Sequence, residues 1–313
     1  MMESELQLQQ LAQSISRARQ VASGNTTLVE MPLFSTAEIP NLGSEASCGS
    51  CMVSMMASGS KGNAAFMQCG KTKILIDAGI SCRRIQQGLK KYGCTLEDID
   101  AIFITHEHAD HVNGLPMVLK KSHMPVYTTQ ETWQAIGQKV ESYQDRFVRL
   151  TRRVGLDEIQ VVPFAISHDA ARPVGYTVYH GDCKVTLATD LGYITADVAT
   201  AAAYSDILIL EANHDEQMVK NGPYPYALQQ RILSQWGHLS NRAAAEFLAN
   251  LPSRSLMRVL LAHRSEKNNT PAVSLHTVRH ILGNAGKVIG QDMVLRLACQ
   301  HGQVSYQNGG HNI

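Results

Sequence analysis

Four good metal-ligating residues fall within six positions: His106, His108, Asp110 and His111, in AIFITHEHADHVNGL over residues 101–115. They directly follow an apolar run that reads as a buried strand. In extended chain, residues two apart point to one side, so His106 and His108 can face a common point. Asp110 and His111 then fall on the turn into the next helix. Imidazole nitrogens with a carboxylate suit borderline divalent cations such as zinc or manganese, and a cluster of this size can serve two adjacent ions. Other apolar runs end in further candidates. VVPFAISHDA supplies His168, KVTLATDLG supplies Asp190, DILILEANHD supplies Glu211, His214 and Asp215, and RVLLAHRS supplies His263. One polar residue at a strand end means little, but several strand ends can converge on one pocket beyond the carboxyl edge of a sheet.

Positioning such a cluster requires strands and helices in alternation. Short runs rich in Ile, Val, Leu and Phe predict strands at 53–56, 64–68, 73–76, 101–105, 125–127, 160–162, 175–179, 184–188, 206–210, 258–261 and 294–297. Helical patterns occupy 81–92, 115–121, 131–139, 196–204, 226–235, 241–250 and 271–282, with Asn241 as an N-cap and Pro271 in a first turn. Strands dense in the first half, with helices recurring throughout, predict an α/β (α+β) protein of face-to-face sheets with helices outside.

Residues 1–51 differ from the rest: a weak amphipathic pattern, then Gly, Ser, Thr, Asn and Pro in linker-like density. They read as a flexible N-terminal extension or an over-long gene start, with the catalytic domain over 52–313. Among the 313 residues, 28 Lys and Arg balance 27 Asp and Glu, which excludes a strongly basic nucleic-acid coat. No apolar run is long enough to span a bilayer, and the N-terminus lacks a secretory apolar core. These features predict a cytoplasmic protein without membrane contact. Seven scattered cysteines, including the Cys48–Cys51 pair of a lone CxxC, are expected to be reduced and incidental, since two thiolates cannot fill a tetrahedral zinc site.

THEHADH at 105–111 resembles the HxHxDH motif of the metallo-β-lactamase superfamily. His168, Asp190 and His263 fall where that superfamily places its remaining ligands. Asp77, in ILIDAG, resembles its bracing aspartate, which supports the ligands from behind. The resemblance covers about residues 53–300 and implies an αββα sandwich. ASGSKGNAAF, ILIDAGISCRRIQQGLK, TDLGY, EANHD, GHLSN and LAHRSEKNNTP narrow it to the YycJ/WalJ-type bacterial proteins. That similarity implies a metal-dependent nuclease, with 5′ to 3′ exonuclease action on double-stranded DNA and a role in mismatch repair. Fold alone does not assign a reaction. Arg264 departs from the pattern, standing where an apolar residue is expected.

The resemblance implies two divalent ions, manganese or zinc. His106, His108 and His168 would hold one, Asp110, His111 and His263 the other, with Asp190 bridging. A hydroxide shared by the ions would attack phosphorus, and Asp110 would also orient it. GHLSN resembles the GHST segment of ribonuclease Z, which makes His238 the candidate acid for the leaving group and Glu211 its partner. The competing roles are a helix-capping or core histidine and a carboxylate bracing the sheet. His214 is a candidate for phosphate contact or for bracing a ligand. Ser58, Ser60, Lys61 and Asn63 form a small polar loop whose glycines can let backbone N–H groups meet a phosphate, or which merely makes a tight hairpin turn. Asn268 and Asn269 can contact substrate or turn the chain into the next helix. Basic pairs such as Arg83–Arg84 and Arg152–Arg153 can attract a DNA backbone, though such pairs are usually solvated surface. Duplex DNA is the favoured substrate over RNA. A ribonuclease or small phosphodiesterase is the first alternative, a thioester or lactone hydrolase of the glyoxalase type the second, and a non-catalytic scaffold the third. Protein partners are not legible.

Overall fold

The computed structural model describes residues 49–308. Cys48, His311 and nearly all of the expected N-terminal extension lie outside the described residues. Among the described residues, fourteen strands form two seven-stranded sheets. The first has the order β14-β1-β2-β3-β4-β5-β6, built from β1 (Cys51–Ala57), β2 (Ala64–Cys69), β3 (Thr72–Ile76), β4 (Ala101–Phe103), β5 (Val126–Thr128), β6 (Phe147–Arg149) and β14 (Val304–Gln307). The second has the order β13-β12-β11-β10-β9-β8-β7, built from β7 (Val154–Leu156), β8 (Ile159–Ala165), β9 (Val174–His180), β10 (Cys183–Ala188), β11 (Ile207–Glu211), β12 (Met257–Ala262) and β13 (Met293–Leu297).

Alternation along the strands divides the core into layers. On the first sheet, Phe66, Leu75 and Ile102 pack under α1 (Cys82–Lys90), α3 (Leu115–Lys120) and α4 (Gln130–Ile136), through Ile85, Leu89, Val118 and Trp133. On the second, Leu208, Leu210, Val259 and Leu261 pack under α5 (Ala196–Ala202), α8 (Asn241–Asn250) and α9 (Pro271–Asn284). Between the sheets, Phe103 of β4 meets Tyr176 of β9 edge-on at 5.4 Å, and the Tyr176 hydroxyl donates to the Ile104 carbonyl at 2.6 Å. The result is the expected αββα sandwich. Shorter helices α2 (Ala109–Val112), α6 (Glu216–Lys220) and α7 (Tyr226–Ile232) and a 3₁₀ helix (Gly137–Arg146) complete the described elements. Among the described residues no helix is long and apolar enough to cross a membrane.

Two expectations are corrected. Ser240, not Asn241, caps α8: its Oγ accepts from the Ala243 N–H at 3.1 Å, while Asn241 turns inward to pair with Asn269. Cys51 and Cys69 are not free thiols but form a disulfide. The antiparallel β1–β2 register sets them directly opposite, with Cα atoms 4.2 Å apart, a proximity that spacing along the chain does not reveal.

Candidate metal centre

Each part of the centre lies at the end of a strand or just beyond it. The chain leaves β4 through Thr105 and His106, and α2 begins immediately after His108. Asp77 follows β3, His168 follows β8, Asp190 follows β10, Glu211 ends β11 and His263 follows β12. Asp77, Asp190 and His263 have φ of 61°, 61° and 52°, in the left-handed region. Non-glycine residues adopt this conformation at some cost, which surrounding contacts must outweigh.

Among the described residues, four clusters have ligand atoms close enough to hold an ion: His106, His108 and His168; Asp110, His111 and His263; His106, His111 and Asp190; and Asp190, Glu211, His238 and His263. His168 Nε2 and His108 Nδ1 are 3.3 Å apart. Asp190 touches both halves, with Oδ2 at 3.4 Å from His111 Nε2 and Oδ1 at 3.9 Å from His168 Nε2. His263 Nε2 is 3.4 Å from Asp110 Oδ2. Buried His106 Nε2 and Asp190 Oδ2 have no hydrogen-bond partner. Leaving such atoms bare in the interior is costly, and a shared cation would satisfy them. The donor set therefore fits divalent cations.

Neighbours fix which nitrogen each histidine presents. His111 Nδ1–H donates to Asp77 Oδ2 at 2.7 Å and His168 Nδ1–H donates to the Gly237 carbonyl at 3.2 Å, so both turn Nε2 inward. The Asp77 carboxylate also accepts from the Thr105 amide at 2.9 Å and the Thr105 hydroxyl at 2.9 Å. Glu211, fully buried, accepts with Oε1 from Nδ1 of His238 at 2.8 Å and of His263 at 2.9 Å. Its Oε2 accepts from the amides of Leu191 at 2.8 Å and Leu239 at 3.2 Å. Glu211 and His238 also lie within ligand distance of Asp190 and His263. Both Glu211 oxygens are thus engaged by donors in this structure.

The protein's own groups polarise the cluster. Burial, reinforced by His111, His168 and His108, pushes His106 well below the ordinary histidine value. Burial acts the same way on His111, but Asp190 and Asp77 outweigh it and raise His111. Burial also opposes charge on His263, yet Asp190, Asp110 and Glu211 lift it to about 10. Burial lowers His168 despite Asp190. Burial favours the neutral forms of Asp110 and Glu211. Hydrogen bonds from His111 and His263 to Asp110, and the charge of His238 beside Glu211, outweigh it and hold both carboxyls below their usual range.

Of the remaining candidates, Asn63 lies at the centre and the others lie around it. Ser60 is exposed in its loop. Asn63 is buried: its amide donates to the Asp110 carbonyl at 3.3 Å and to Asp110 Oδ2 at 3.2 Å, and its oxygen accepts from the Gly59 amide. It fastens the ligand candidate Asp110 rather than facing outward. Asn269 is also buried, with its amide spent on the carbonyls of Ala212 and Asn213 and on Asn241. Asn268 is fully buried, and its backbone carbonyl accepts from the Asp215 amide. The structure brings neither asparagine to the centre; both lie in the turn leading into α9. His214 is buried, its Nδ1 has no partner, and burial holds it down at about 4. Partly buried Arg264 keeps Nε from water without a partner.

Sequence reading missed three supports. Ser58 Oγ accepts from the His263 amide at 2.7 Å, Asn213 donates to the His263 carbonyl at 2.7 Å, and Thr105 bridges Asp77 to the ligand histidines. Thr105 and Asn213 each sit beside a ligand-bearing motif, which was the available signal.

The Beta-lactamase superfamily domain model matches residues 72–263. Exodeoxyribonuclease WalJ of Streptococcus pneumoniae is 35% identical over 244 residues, covering 76% of this chain and 91% of the relative. Exodeoxyribonuclease YycJ of Bacillus anthracis is 32% identical over 241 residues, with the same coverage. The metallo-beta-lactamase fold protein YhfI from Bacillus subtilis superposes with a TM-score of 0.61 at 15% identity, covering 82% of this chain and 99% of that one, a likeness of fold. Motif, sandwich and sequence kinship agree: the chain belongs to the metallo-β-lactamase superfamily, within its WalJ/YycJ family.

Proposed function

We propose that this chain is a metal-dependent exodeoxyribonuclease that hydrolyses terminal phosphodiesters of duplex DNA from the 5′ end, in a cytoplasmic DNA-repair setting. The observation that carries the reading is the Glu211–His238 pair, a proton donor fixed beside a cluster able to hold two cations. The names of the WalJ and YycJ relatives supply the substrate class.

His106, His108 and His168 would hold one divalent ion, manganese or zinc, and Asp110, His111 and His263 a second, with Asp190 between them. Bound there, the cations would supply Lewis acidity toward phosphoryl oxygens and toward water. Asp110, steadied by Asn63, orients the attacking water. Glu211 takes the Nδ1–H of His238 and, as an ionised neighbour, stabilises the imidazolium. His238 then delivers its Nε2 proton to the departing oxygen, which leaves poorly as an alkoxide. A thiolate departs without such help, so the pair favours phosphodiesters over thioesters.

The test is degradation of duplex DNA labelled at the 5′ or 3′ end, with Mn²⁺ or Zn²⁺, beside matched RNA, a thioester and Asp110→Ala. The expected result is shortening from the 5′ ends, lost in the variant. Survival of the duplex while RNA or thioester is hydrolysed would overturn the substrate assignment.

A further inference from the structure

The exposed large aromatic side chains among the described residues are Tyr193, Tyr226 and Trp236, exposed by 40%, 74% and 59%. Exposing a tryptophan this far gives up favourable burial. Tyr193 and Trp236 lie on loops that carry or adjoin residues of the candidate centre, and Tyr226 opens the helix that leads into the Trp236 loop. Trp236 precedes Gly237, whose carbonyl orients His168, and lies two positions before His238. Tyr193 lies three positions after Asp190, and its amide donates to Ser167 Oγ beside His168. Tyr226 opens α7, whose last turn contacts the Trp236 loop: the Gly237 amide donates to Ser234 and the His238 amide to the Ile232 carbonyl at 3.1 Å.

The two loops are locked together. A Cβ on Gly192 would meet the Gln235 carbonyl at 2.2 Å, and one on Gly237 would meet the Arg231 carbonyl at 2.2 Å. Arg231 also pairs with Asp169, the residue after His168, at 2.5 Å. The Trp236 backbone is thus held by the groups that hold two residues of the centre. Along the chain, Trp236 stands two residues before His238, whose Nδ1 lies 2.8 Å from Glu211 Oε1.

We propose that Trp236 is the surface on which the nucleobase next to the scissile phosphate stacks, with Tyr193 on the adjoining loop of the same rim. This rests on the nuclease reading above. Every base has a π face, so stacking secures the end of any sequence without hydrogen-bond readout. The occupant is a nucleic-acid base rather than a second copy of the chain, because the aromatic groups border the centre where the phosphodiester must lie.

The experiment removes each stacking partner in turn. Wild type, Trp236→Ala and Trp236→Phe are compared on duplexes carrying either a normal base or an abasic residue at the nucleotide flanking the first scissile phosphate. Wild type is expected to lose about ten-fold or more in kcat/KM when the base is removed. Trp236→Ala should begin at that lower level and lose nothing further, and Trp236→Phe should retain most of the base dependence. The same fold-loss in wild type and Trp236→Ala would overturn the proposal, as would a variant whose main change is its sedimentation, which would assign the surface to self-association. Metal-depleted protein provides a second readout. Trp133 is buried, so quenching of exposed tryptophan fluorescence by an oligonucleotide reports Trp236. Cleavage without quenching or base dependence overturns the stacking site and leaves the nuclease standing. Quenching without cleavage overturns the nuclease and keeps the stacking site.

Discussion

Glu211 is fully buried and has no unused oxygen: two histidines share one, and two backbone amides share the other. A single carboxylate therefore orients the ring of a ligand candidate, His263, and that of the proposed proton donor, His238, together. Glu211→Gln keeps the shape but cannot accept from both imidazoles as an anion. Activity should fall about 10²–10⁴-fold, with Glu211→Gln/His238→Ala hardly worse than either single change, as for residues acting as a unit. Asp77→Asn should leave the circular dichroism unchanged and weaken divalent-ion binding about 10–100-fold, measured by competition with a chromophoric chelator. Lys184, away from the centre, offers a test of pH. Burial and the nearby Arg254 guanidinium, partly offset by Asp206, hold its ammonium down at about 8. Its folded pKa lies below its unfolded value, so the unfolded chain binds the extra proton between them. Its contribution to stability therefore rises from pH 8 toward the ordinary lysine range. Urea melts of Lys184→Met against wild type should converge as pH climbs through that window; a constant gap would contradict it.

At the scale of elements, the strands foreseen from apolar runs all form, while β6, β7 and β14 were not foreseen. Two stand at the outer edges of the first sheet and the third at an outer edge of the second. An edge strand buries little and needs no apolar run, as FVR, VGL and VSYQ illustrate, so hydrophobic pattern is a weak guide there. The convergence of the candidate ligands was legible because ligand types recur directly after buried strands. The positions of Asn63, Asn268 and Asn269 were not, because polar residues in loops look alike whether they face water or fasten loops together. The cap of α8 shows the same limit at single-residue resolution: Ser240 and Asn241 are both good caps, and only the pull of Asn269 on Asn241 decides. Ser240→Ala should cost about 1 kcal/mol in urea unfolding, whereas Leu208→Ala, in the fully buried middle of β11, should cost about 2–5 kcal/mol.

Across the whole molecule, the centre draws on both sheets. His106, His108, Asp110 and His111 come from the first; His168, Asp190 and His263 come from the second. A cation that binds only the folded arrangement adds to its stability by mass action, about 4 kcal/mol at a thousand-fold excess over the dissociation constant. Chelation should lower the melting temperature, and Mn²⁺ or Zn²⁺ should restore it. Asp190→Ala should blunt that response, as read by calorimetry. β14 adds a different link: the chain finishes the second sheet with β13 and then returns to pair with β1 of the first. Cutting the backbone in the 150–153 connection between β6 and β7 would yield two pieces, each carrying one sheet's ligands, with the second also carrying a strand of its partner's sheet. Such fragments would be expected to find each other as complementary halves, with β14 providing the handhold and the cations acting as the clasp.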